Sequence, residues 1–334
     1  MTPVLLAAVL AASWAPQKSG ADAQLRGIAV LDATHAFASG AAGTVLRTRD
    51  GGRWVKLVVP GGEALDFRDV EALGAETVLL MSAGTAGAAR IYRSADGGTA
   101  WTLVHTNPDA QGFYDAIAFW NADHGLLLGD PVDGRFVVRL TDDGGRSWTA
   151  PPADGMPPAL PGEGAFAASG TCLFALKGGS DGWFVTGGAK TSRVFHTSDR
   201  GRTWIAAETP VPAGNASSGL FSVAFLDGRR GFTAGGDYKQ PGLAALNGAR
   251  TEDGGKSWTP APISPSGFFS AVVPVPGGKE QLVAVGPGGS ALSHDAGRTW
   301  TPFDKTPLNA AAFAGPDVGW AVGPEGTIVR FRRP

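Results

Sequence analysis

The stretch at 251–258, Thr-Glu-Asp-Gly-Gly-Lys-Ser-Trp, returns five more times along the chain, and that recurrence restricts the fold more than any other feature. The other copies lie at 48–54, 94–101, 141–148, 197–204 and 293–300; all follow Ser/Thr-x-Asp-x-Gly-x-x-Trp, with one residue fewer in the first. In each, a hydroxyl residue closes an apolar run, glycine supplies the positive φ of a tight turn, and Trp opens the next run with a large apolar surface. The carboxylate two positions after the hydroxyl has the right length to accept backbone N–H groups across the turn. One carboxylate per turn, with no second acid at ligand spacing, does not build the oxygen cage of a calcium ion. Asp50, Asp96, Asp143, Asp199, Asp253 and Asp295 therefore read as structural clasps, not as metal ligands or catalytic acids.

These six Asp residues recur roughly every 42 to 56 positions, the period of a propeller blade. Each period holds three short apolar runs before the turn, as at 28–32, 35–40 and 43–47, and a fourth that begins at the Trp, as at 54–58. That pattern is a four-stranded antiparallel sheet. The last period, 308–331, repeats the first three runs and lacks both the turn and the fourth. The segment 13–17, Ser-Trp-Ala-Pro-Gln, matches Thr-Trp-Thr-Pro at 299–302 and precedes the first strand at a comparable distance. The expectation is an all-β chain: one seven-bladed propeller over 13–334, its last blade closed by an N-terminal strand around Trp14. Closure of this kind removes an edge otherwise open to pairing. Two insertions, at 151–161 and 238–242, read as loops.

With 43% hydrophobic residues and 50 glycines, the chain has apolar surface for a sizeable core and turn residues for many hairpins. Its net charge of −2 and singly scattered Lys and Arg exclude a nucleic-acid footprint or a polybasic membrane patch. The lone cysteine, Cys172, forms no internal disulfide and reads as a small buried residue. Residues 4–12 are apolar and resemble the core of a secretory signal, although Met1, Thr2 and Pro3 supply no positive charge. A secreted or periplasmic monomer is the expectation, cut before Ser13 or read from a start codon placed too far downstream, because a cut after Ala23 removes Trp14. No other segment is long and apolar enough to span a bilayer.

In this strand order the Asp turns and the first-to-second connections share one face, and the fourth-to-first and second-to-third connections share the other. The second face collects Arg68, Asp69, Tyr114, Asp115, Asp130, Asp133, Arg135, Glu163, Lys190, Arg193, Asp237, Tyr238 and Lys239. Loops around a central channel are where such folds place function, so this rim is the candidate binding surface for a polar ligand or a protein segment. The plainer alternative is loop polarity with local ion pairs such as Asp130 with Arg135, each worth about 0–1 kcal/mol when exposed. A glycosidase needs two carboxylates flanking a bond, for which Asp69, Asp115, Asp130 and Glu163 are the candidates. The five histidines fall in different blades without metal-ligand spacing, and no nucleophile elbow or dinucleotide fingerprint occurs, so neither metal nor cofactor is expected.

The recurring turn resembles the Asp box, or BNR repeat, of sialidase-type propellers. Sialidases also carry an Arg-Ile-Pro segment, an Arg triad and a Tyr/Glu pair; the first is absent here, and of three tyrosines only Tyr114 and Tyr238 are placed to reach the rim. The phrases at 318–330, Val-Gly-Trp-Ala-Val-Gly-Pro-Glu-Gly-Thr-Ile-Val-Arg, and at 43–52 resemble the photosystem II stability/assembly-factor family of BNR propellers, over the chain from Trp14 onward. That resemblance implies an exported seven-bladed propeller that binds proteins and assists assembly without catalysis, through an Arg-rich surface. The rim here is mixed in charge, so a photosynthetic role does not carry over. The expectation is a non-catalytic protein-binding or assembly module of the cell envelope, with a glycoside hydrolase acting on envelope or extracellular glycans as the alternative.

Overall fold

A computed structural model describes residues 12–333. The apolar run at 4–12 therefore lies, except for Ala12, outside the described residues. Seven antiparallel sheets stand side by side, and their innermost strands are Leu25–Val30, Asp66–Ala72, Tyr114–Phe119, Leu173–Ala175, Ser218–Phe225, Ala271–Pro274 and Ala310–Gly315. Each innermost strand packs on the next, and the seventh packs on the first, which closes the ring into a seven-bladed propeller. Blades are numbered below in that order.

Six blades have four hydrogen-bonded strands. Blade 3 has three, and its fourth position shrinks to one antiparallel bridge between Leu140 and Thr149. The physical reason follows two residues later: Pro151 and Pro152 have no N–H to give a ladder.

Blade 7 takes its fourth strand, Ser13–Gln17, from the other end of the chain, with Trp14 opposite Phe331 and Gln17 opposite Ile328. Trp14 is buried against Phe303, Phe313 and Phe331, the last at 5.3 Å edge-on. Gln17 reaches the other way: its side-chain carbonyl accepts the indole N–H of Trp54 at 2.8 Å and of Trp320 at 2.9 Å. One short strand thus joins blade 7 to both neighbours.

The Asp turns share one plan, an Oδ1 that accepts the preceding hydroxyl and backbone N–H groups across the turn, and the four from Asp143 onward add a hydroxyl donor to Oδ2. In the third copy, Asp143 Oδ1 accepts the Thr141 hydroxyl at 2.8 Å and the N–H groups of Arg146 and Ser147 at 2.9 and 3.0 Å, while Oδ2 accepts the Ser147 hydroxyl at 2.6 Å. Burial pushes this carboxyl up, but those donors outweigh it and hold Asp143 at about 2. Asp253 is held at about 2 by the same set of donors. The clasp fixes each hairpin and sets the following Trp against the preceding blade, as Trp300 on Phe232 of blade 5 and Trp54 on Gln17 of blade 7.

Candidate functional site

Four innermost strands carry a β-bulge at the same place, where they emerge at the loop-bearing mouth of the channel. The phrases are Leu25-Arg26-Gly27-Ile28, Phe67-Arg68-Asp69-Val70, Tyr114-Asp115-Ala116-Ile117 and Leu220-Phe221-Ser222-Val223, with the register shift falling at the second residue of each. A bulged residue leaves the ladder and its side chain is re-aimed. Here Arg26, Arg68, Asp115 and Phe221 all turn into the mouth, where they line its cavities.

The mouth is not open to the far side. Residues 164–170, leading into the innermost strand of blade 4, cross it as a strap. Ala165 N–H donates to Asp130 at 3.0 Å, the carbonyls of Ala167 and Ala168 accept Arg68 and Arg26 at 3.2 Å each, and the Ser169 hydroxyl donates to the Ser270 carbonyl at 2.9 Å. Blades 1, 2, 3 and 6 therefore all hold the strap. Gly170, at φ 75°, ends it; a Cβ there would stand 2.3 Å from Asp69, so the close approach requires glycine.

Above the strap lie two cavities that share Arg68, Phe166 and Ala167. The larger, about 850 Å³, is bounded by Asp115, Asp130, Glu163 and the 159–165 loop. The smaller, about 460 Å³, is aromatic: Phe166 stacks on Phe221 at 4.0 Å, Phe268 meets Phe221 edge-on at 4.7 Å, and Tyr238 stands at the rim, 46% exposed. Together they form one groove, acid-lined at one end and aromatic at the other, with Arg68 between.

The structure distributes the sequence candidates unevenly. Arg68, Asp115, Asp130 and Glu163 line the acidic end and Tyr238 the aromatic end. Arg68 is held by Asp66 at 2.7 Å. Asp115 is fully buried and accepts no hydrogen bond. Burial, then the charge of Asp130, pushes its carboxyl well up; Arg68 and the facing Ala167 N–H, which does not complete a bond, hold the rise back. Burial also raises Asp130, to about 6, against the opposing Ala165 amide. Glu163 is tied to Arg193 through both carboxylate oxygens and accepts the Thr186 hydroxyl at 2.6 Å; Arg193 in turn covers the Phe195 ring at 4.6 Å. That pair pins the loop.

Other candidates lie elsewhere. Tyr114 does not reach the rim: it is buried between blades 2 and 3, bonded to His105 at 2.9 Å, because the bulge after it turns the next residue, Asp115, into the mouth instead. Burial pushes its hydroxyl up to about 12. Asp69 lies below the strap, where its two oxygens accept the N–H groups of Val70 and Ile117, both at 2.8 Å, and stitch blade 2 to blade 3. Burial, with Glu71 adding to it, pushes Asp69 up to about 8 against those two amides. Asp237 is buried and caps its own loop through Asn215 and the Lys239 N–H, while Asp133, Lys190 and Lys239 in loops and Arg135 at the start of the strand Arg135–Thr141 are exposed outside both cavities. Sequence reasoning missed Arg26, Phe166, Phe221 and Phe268. Aligning the first strands of the blades, rather than the turns, brings the bulge position of Arg26 and Phe221 into one column. Among the described residues no group of three or more His, Cys, Asp or Glu side chains is placed to hold a metal ion, and no helix is long and apolar enough to cross a membrane.

No family model matches the chain, and no curated protein does. Solved structures do. YCF48 bound to a D1 peptide superposes with TM-score 0.68 at 17% identity, covering 96% of this chain and 97% of that one. The chain shares its fold with YCF48. A second YCF48 structure, from Cyanidioschyzon merolae, gives TM-score 0.63 at 16% identity over 96% and 98% of the two chains. The GH74 xyloglucanase of Xanthomonas campestris gives TM-score 0.62 at 16% identity, with 95% of this chain matched to 53% of the enzyme, so this chain spans about half of it. The likeness to YCF48 agrees with the resemblance carried by the blade phrases.

Proposed function

We propose that the chain is a protein-binding module whose mouth groove receives an extended polypeptide segment of a partner. The observation that carries this reading is the continuity of the two cavities across Arg68 and Phe166, above a strap that closes the channel. The result is a trough with an aromatic wall and a charged end, the form that accepts a chain in extended conformation. Tyr238 and Leu243, 46% and 50% exposed on the blade 5 loop, add apolar surface beside it. YCF48, whose fold this chain shares, has been solved with a D1 peptide bound, which supports the same use of this architecture.

The reading extends to export into the cell envelope. A cut upstream of Ser13 is compatible with it, since Ser13–Gln17 is a paired strand, and N-terminal sequencing of the exported chain tests it. A mature start at Gln24 would count against closure of blade 7 by the Trp14 strand.

The GH74 neighbours favour a second reading, a glycoside hydrolase. Its difficulty is chemical: two accessible carboxyls must flank the bond. Glu163 is committed to Arg193, and Asp69 and Asp115 are buried, which leaves Asp130 as the accessible one.

Site-specific photocrosslinking separates the readings. A benzophenone side chain in place of Tyr238 should label one polypeptide segment, and Phe166→Ala should abolish the labelling. Hydrolysis of a β-glucan that survives Phe166→Ala but is lost in Asp130→Asn, without labelling, would favour the enzyme.

A further inference from the structure

The acid-lined end of the groove is unbalanced in charge. Asp66, Asp115, Asp130 and Glu163 gather there against Arg68 and Arg193, while Arg26 lies at the aromatic end with its guanidinium on the Ala168 carbonyl. Arg193 is taken by Glu163 and Arg68 by Asp66. What remains is Asp115, which accepts no hydrogen bond although fully buried, and Asp130, whose donor is the neutral amide of Ala165. A buried carboxyl without a hydrogen bond is costly, and one kept in the wall of a cavity calls for an explanation.

We infer that this end takes a basic side chain, lysine or arginine, from the partner's extended segment, with Asp130 as the contacting carboxylate and Asp115 as the charge beneath it. The inference rests on the groove reading above and adds the chemistry of what the groove selects. The aromatic end, about 460 Å³ and walled by Phe166, Phe221 and Phe268, then takes an apolar side chain of the same segment. Two neighbouring carboxyls attract a cation more than one does, and in a site closed beneath by the strap the attraction is screened less than at an open surface.

Proton traffic follows. The groups facing Asp115 are Arg68 from blade 2, Asp130 from its own blade, and the Ala167 amide and the buried Cys172 thiol from blade 4. Without a bound cation, burial and the charge of Asp130 keep Asp115 towards its protonated form. A basic group on Asp130 offsets that charge and favours ionised Asp115, so binding releases a proton.

The test is a library of acetylated, amidated hexapeptides screened against the full chain, followed by calorimetry of the enriched peptides in two buffers of different ionisation enthalpy. Enrichment of peptides with a Lys or Arg beside an apolar residue is expected, with proton release on binding. Norleucine at the basic position should weaken binding about tenfold or more, as expected for a desolvated charge pair. Asp130→Asn, which keeps the Oδ1 acceptor for Ala165, should erase the preference while leaving the melting temperature close to that of the parent. Enrichment of acidic or uncharged peptides that still depend on Phe166 would overturn this inference and leave the groove reading standing. Enrichment of none, or binding indifferent to both Phe166→Ala and Asp130→Asn, would overturn both.

Discussion

The indole N–H of Trp14 donates to the Ser290 hydroxyl at 2.9 Å, across 276 positions of sequence. That bond ties the N-terminal strand to blade 6 while its backbone pairs with blade 7 and Gln17 faces blade 1. The ring is therefore held shut by side chains as well as by a ladder.

Trp14→Ala removes a buried aromatic ring from the cluster with Phe303, Phe313 and Phe331 and should cost about 3–5 kcal/mol, measured by urea unfolding. Gln17→Leu deletes the shared acceptor of Trp54 and Trp320 and should cost about 1–3 kcal/mol. Wild-type stability in both variants would mean that the strand does not close the ring.

Two Asp turns place a non-glycine residue where other copies have glycine: Arg200 at φ 58° and Ala296 at φ 58° occupy the position that Gly144 and Gly254 fill. Left-handed backbone is strained for a residue with a Cβ, by roughly 1–2 kcal/mol. Ala296→Gly should therefore stabilise the chain, offset in part by the greater freedom of glycine in the unfolded state. A rise in the unfolding midpoint checks it; Gly254→Ala should move it the other way.

The turns also set the response to acid. Asp143 and Asp253 are held near 2 in the folded chain, below their unfolded value near 4. Their contribution is complete above about pH 4 and is lost as pH falls towards 2. Asp69 has the opposite sign: pushed up to about 8, it binds a proton more tightly folded than unfolded, so it lowers stability progressively as pH rises from about 4 to 8. Unfolding midpoints across that range should decline less in Asp69→Asn than in the parent, and the acid limb below pH 4 should be shallower in the double variant Asp143→Asn, Asp253→Asn.

Arg26 and Arg68 hold the strap by its carbonyls. Arg26→Met with Arg68→Met should speed amide exchange within 165–169 and leave the outer strands unchanged. Uniformly faster exchange would show that the two arginines support the whole ring instead.

The ring could be read from the chain because its signals are local and repeated: a turn whose Asp, glycine and Trp each have a fixed task, six times over. The mouth was legible only in part. Asp115, Asp130 and Tyr238 fall where loop polarity places them, but alternation fails at a bulge, so Tyr114 and Asp115 exchange the faces that a regular strand gives them. Glu163 and Arg193 look like separate surface charges until the fold brings them together across 30 positions. The strap had no signature at all: Gly-Ala-Phe-Ala-Ala-Ser-Gly carries no period, and its course is set by backbone carbonyls that residue type does not announce.

The central claim is that one groove at the mouth receives a polypeptide. Hydrogen exchange of the full chain with and without the cross-linked or enriched peptide measures this directly. Protection confined to 111–115, 130–135, 164–168 and 238–243 is the predicted result; protection on the Asp-turn face, or on the outer strands around Leu103 and Ile205, would contradict it.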